Sequence, residues 1–149
     1  MANSTRNETI MAEQPLYHQF IGHWTLLAES CVYEQGNAPT AGSYCIAEGE
    51  GGLLFTMRWT GAEGEQHDHS FTAPADGECH PFNGGALADA LSVTAKSAQE
   101  LNSAAFKDGK ELMLAMRTLS SDGLFMDVKQ SVRLPDLTEP SNFSRYKRQ

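Results

Sequence analysis

From Trp24 onward, apolar and polar residues alternate with a period of two in short runs broken by turn-forming residues. Such alternation places successive side chains on opposite faces of a strand. The runs predict strands over 24–33, 42–48, 53–60, 66–73, 77–82, 90–96, 100–106, 110–118, 124–133 and 141–147. Their separators include Gly36-Asn37, Gly51-Gly52, Gly61 to Gly64, Asp76-Gly77, Gly84-Gly85, Asp108-Gly109 and Asp122-Gly123. Asp-Gly favours hairpins because a type I′ turn needs positive φ at both central residues. Pro15 to Phe20 predicts one helical turn, since proline suits the first helical position. Residues 85–91 have helical propensity but are too few to hold a helix alone.

An unbroken series of short antiparallel strands must hide its edges, and closure does this completely. The expected fold is therefore all-β: a single antiparallel up-and-down closed barrel of about 8–10 strands. A β-sandwich gives a similar pattern and stays open as the alternative. Residues 1–14 are expected to form a disordered N-terminal arm, and 15–149 the barrel domain.

Composition narrows the partners. The 149 residues suffice for one domain with a sizeable core. A formal net charge of −8, from 19 acidic and 11 basic residues, leaves no basic excess for nucleic acid or an anionic membrane. The N-terminal residues lack a signal-peptide core, and no apolar run reaches spanning length. Cys31, Cys45 and Cys79 are an odd set without metal-ligand spacing, expected as reduced, mostly buried thiols. The expected location is cytoplasmic.

Phe20-x-Gly22-x-Trp24 resembles the opening motif of calycins, the superfamily of lipocalins and fatty-acid-binding proteins, in which the tryptophan plugs one barrel end. Further blocks resemble an uncharacterised lipocalin-like bacterial family: Trp24 to Ser30, Asp76 to Gly84, Ala88 to Val93, Phe106 to Lys110 and Leu119 to Gly123. This resemblance implies a lipocalin-like barrel and no settled activity. Leu27 stands where that family usually has Asn. The Arg-x-Tyr carboxylate clamp of fatty-acid-binding proteins does not carry over, because Arg145 and Tyr146 are adjacent and face opposite ways on a strand. Haem-binding nitrobindins use a histidine near the C-terminus, whereas the last histidine here is His80. No cofactor is expected.

The runs 53–60 and 66–73 carry the candidate chemistry. Phe55, Met57 and Trp59 share one face, as do His67, His69 and Phe71. A five-residue loop from Gly61 to Glu65 pairs Thr60 with Gln66, Trp59 with His67 and Met57 with His69. It also sets Arg58 beside Asp68 on the outer face, which suits opposite charges. In this register His67 and His69 point into the barrel, where imidazoles can act as acid and base or hold a polar ligand atom. The alternative is two half-exposed histidines near the barrel mouth. No third ligand completes a metal site.

Phe55, Met57, Trp59, Met113, Met116 and Met126 can line an adaptable apolar cavity or simply pack a core. Tyr44 and Tyr146 can offer hydroxyl groups. Arg117 is expected in solvent, with an internal countercharge as the alternative. Glu111 and Asp127 are read as surface residues. No nucleophile elbow or phosphate-cradling loop is present, and the cysteines lack an activating neighbour.

Three functions follow as expectations. The first is binding of a small hydrophobic molecule by Tyr44, Phe55, Met57, Trp59, His67, His69, Phe71, Met116 and Tyr146. The second is a cofactor-independent isomerase or cyclase with His67 or His69 moving a proton. The third is a filled barrel acting as a structural or interaction protein. A homodimer stays open.

Overall fold

The computed structural model describes residues 14–82 and 88–149. Most of the expected N-terminal arm, the Gly84-Gly85 turn and the start of the 85–91 segment lie outside them. A 3-10 turn over Leu16–Phe20 leads into ten strands. These are β1 (Gly22–Tyr33), β2 (Ala41–Gly49), β3 (Gly52–Thr60), β4 (Gln66–Ala73), β5 (His80–Pro81), β6 (Ala90–Ser97), β7 (Glu100–Lys107), β8 (Lys110–Leu119), β9 (Phe125–Val132) and β10 (Ser141–Arg148).

The strands form one antiparallel sheet in the order β4-β3-β2-β1-β10-β9-β8-β7-β6-β5. The order is up-and-down apart from one step, where the C-terminal β10 pairs with β1. The sheet curls into a nearly closed, calycin-compatible barrel, with β4 and β6 approaching each other across the remaining gap. The full closure expected from the sequence is thus not reached, because β4 and β5 remain sheet ends. Residues 66–70 on β4 are all exposed, and polar or charged edge residues discourage pairing with another chain.

Local chemistry accounts for the turns. Asp108 and Gly109 have φ of 52° and 79°, the two positive values a type I′ hairpin requires. The strand expected over 77–82 shrinks to His80–Pro81. Asp76 accepts a hydrogen bond from the Glu78 N–H and pairs with His80 at 2.8 Å, holding 76–80 as a turn. Proline at 81 then removes a ladder donor.

Strand β1 changes register against β10 between Leu27 and Val32. Ser30 Oγ donates to the Leu27 carbonyl and accepts from the Arg145 N–H, so one hydroxyl holds the irregularity together. Such bulges bend a strand and help a sheet to curl.

The barrel is solid at one end. Phe20, Trp24, Ile46, Phe55, Val93, Leu101 and Met126 are fully buried there. Trp24 Nε1–H donates to the Phe20 carbonyl at 3.1 Å. The Arg148 guanidinium lies 4.2 Å from the centroid of the Trp24 ring and donates to the Ile21, Gln19 and Gly123 carbonyls. One side chain thereby joins the 3-10 turn, the β9 hairpin and the last strand. Gly22 has φ of 142°, and a Cβ there would stand 3.0 Å from Arg148 Nη1, so glycine serves both backbone and packing.

Trp24→Ala is expected to lower stability by about 3–5 kcal/mol through cavity formation, read as a shifted urea midpoint. Gly22→Ala should cost about 1–3 kcal/mol in the same melts, from backbone strain and the displaced guanidinium. A change below 0.5 kcal/mol, roughly the scatter of surface substitutions, would contradict this account of the plug.

Candidate functional site

Away from the Trp24 end the interior is hollow. A cavity of about 310 Å³ lies between strands β1–β4 and β7–β10. Its apolar wall comes from Met57, Trp59, Phe71, Met113, Ala115 and Val128, while Ser43, Tyr44, Ser103, Arg117, Gln130, Ser144 and Tyr146 add polar groups. Tyr33, Asn37, Pro39 and Asn142 also line it. Asn37 and Pro39 belong to the connection between β1 and β2, so a loop contributes to the lining.

The β3–β4 register is the expected one: Thr60 opposes Gln66, Trp59 opposes His67, Arg58 opposes Asp68 and Met57 opposes His69. The histidines match the half-exposed alternative rather than the inward-facing pair. His67 stacks on the Trp59 ring with centroids 5.3 Å apart, and its side chain is 46% exposed. It is absent from the cavity lining, while His69 lines the cavity and remains exposed. Both sit on an edge strand, with β3 on one side and, among the described residues, no paired strand on the other.

Among the other predicted residues, Tyr44, Met57, Trp59, Phe71 and Tyr146 line the cavity together. Phe55 lies beneath it in the core, stacked on Phe71 at 4.6 Å. Met126 is likewise core. Met116 does not line the cavity. It alternates outward on β8, opposite Asn102 and Lys129, while Met113, Ala115 and Arg117 line the cavity. The expected assignment of Met116 is therefore corrected.

Arg117 is the larger correction. It was expected in solvent, yet it is 1% exposed. Its Nε–H donates to Tyr44 Oη at 2.7 Å and its Nη2 to Ser103 Oγ at 3.0 Å. A longer contact of 3.5 Å joins Nη1 to the Leu101 carbonyl. The guanidinium also lies 4.6 Å from the Phe55 ring centroid. Uncharged oxygens and aromatic faces thus replace water around it.

Tyr146 meets Tyr44 edge-on, with centroids 5.3 Å apart. Burial, followed by the neighbouring Tyr44, pushes the Tyr146 phenol well above the ordinary tyrosine range. Arg145, its neighbour in sequence, faces the other way and pairs with Asp127 at 2.6 and 3.0 Å. Burial and then Glu29 raise the Cys31 thiol, which keeps it protonated and weakly nucleophilic. Cys79 is exposed rather than buried as anticipated.

Asp76, Glu78 and His80 bring three ligand-type atoms within 4.8 Å of one another. Their hydrogen bonds within the turn before β5 give them a local structural use. Among the described residues, no helix is long and apolar enough to cross a membrane.

Raised above its unfolded value, the Tyr146 pKa adds stability that is fully present below about pH 10 and is lost as pH rises through the folded value. Above about pH 10, urea melts of the native protein should lose stability more steeply than those of Tyr146→Phe, by roughly 1 kcal/mol per pH unit. Equal slopes would place the phenol in a more polar setting than this geometry gives. A scan of this chain against protein-family models gives no match, and a search of curated proteins finds no similar protein.

Proposed function

We propose that this protein is a calycin-like container that binds one small, largely apolar molecule in the hollow half of its barrel. The observation carrying this reading is the division of the interior. One end is plugged by Phe20 and Trp24, while the other keeps about 310 Å³ open beside Met57, Trp59, Phe71 and Met113. That volume falls at the small end of ligand pockets. Thioethers beside aromatic rings suit a ligand of irregular shape. Three free thiols fit a reducing, cytoplasmic setting. An acid–base activity, the competing reading, rests on His69 alone, since His67 lies outside the lining.

Native mass spectrometry of freshly purified protein is expected to find a co-purified small molecule. The neutral probe N-phenyl-1-naphthylamine should bind saturably with a fluorescence rise. Ala115→Trp, which places an indole in the cavity, should lose that rise while keeping the native far-UV circular dichroism. Probe binding unchanged in the folded variant would sink the cavity reading.

A further inference from the structure

The cavity holds a charge that its own walls do not balance. Arg117 carries a guanidinium, a group that is cationic in proteins. At 1% exposure it has also lost nearly all contact with bulk water. A buried cation normally pairs with an anion, because an uncompensated charge in a low-dielectric interior costs several kcal/mol. Among the described residues, no carboxylate forms an ion pair with Arg117. Its hydrogen-bond partners are two hydroxyls and one distant carbonyl. A guanidinium has five N–H donors, so two remain without a protein acceptor among the described residues.

We propose that the ligand carries one carboxylate and that Arg117 receives it at the inner end of the cavity, with the apolar body lying between Met57, Trp59 and Met113. This rests on the reading of the barrel as an apolar container. The two spare N–H groups suit the two oxygens of a carboxylate, the pairing guanidinium favours most. Tyr44 accepts from Arg117 through its oxygen and keeps its own O–H free to donate to the same anion. The other polar groups near this end, on Ser103, Ser144 and Tyr146, are uncharged hydroxyls.

One fixed positive charge matches a monoanion. A phosphate monoester would leave a second negative charge buried without compensation. Arg58, the second arginine lining the cavity, is exposed and cannot provide it at that depth. The protein's net charge of −8 does not oppose this, because surface charges are screened within about 8–10 Å while a desolvated pair is not.

The test compares octanoate, octanol, octylamine and octyl phosphate by titration calorimetry on the full chain at neutral pH. Octanoate should bind about tenfold or more tighter than octanol, and octylamine and octyl phosphate more weakly than octanoate. Arg117→Gln should erase the preference of octanoate over octanol while octanol binding survives. Octanol binding as tightly as octanoate, or an unchanged preference in folded Arg117→Gln, would overturn the carboxylate assignment and leave the container intact. Octyl phosphate binding tightest would overturn the monoanion. Binding of none of the four would remove both the container and this proposal. If Arg117→Gln does not fold, ¹⁵N-labelled native protein decides. One protected arginine Nε–H resonance should move with octanoate and stay with octanol; a resonance that moves equally with both, or with neither, would refute the contact.

Discussion

The stack of Arg148 on Trp24 is the contact on which the rest of the barrel depends. Trp24 lies on the first strand and Arg148 ends the last, so their contact fastens the pairing of β1 with β10. The guanidinium satisfies three backbone carbonyls that an apolar plug would leave unpaired. Phe20 and the core from Ile46 to Met126 pack behind it. With one end solid, the open space that the barrel encloses collects at the other.

Arg117 divides those two regions. It rests on the Phe55 ring above the core, and its polar edge reaches Tyr44 and Ser103 from different strands. A long apolar side chain at 117 would extend the core toward the cavity. A guanidinium instead brings charge and directional donors to the inner wall. The open rim is different in kind, because β4 is a sheet end and its histidines share their surroundings with water.

Much of the architecture could be read from alternation and turn residues. The β3–β4 register followed from a single comparison, since a slip would bury Asp68 against Met57, and the observed pairing sets Arg58 beside it. Strand β8 was ambiguous for a physical reason. Leu112 to Met116 is apolar on both faces, so a period of two assigns neither face inward. The charge of Arg117 makes its own face read as the solvent side, which leaves the face of Leu114 and Met116 for the interior. Arg117 shares its parity with Leu119, which is buried, and that was the available signal for the opposite choice.

The sequence by itself determined the candidate strands and most turn positions, because these depend on side-chain period and positive-φ residues. The plugging tryptophan followed from the resemblance of Phe20-x-Gly22-x-Trp24 to the calycin opening motif. Tertiary structure decided where the barrel stays open, which half is hollow and which way Arg117 points. Those outcomes depend on partners far apart in the chain: Arg148 meets Trp24, Arg117 meets Tyr44 and Ser103, and β10 closes on β1. A buried cation is stable only where distant acceptors converge on it, and no local pattern records that convergence.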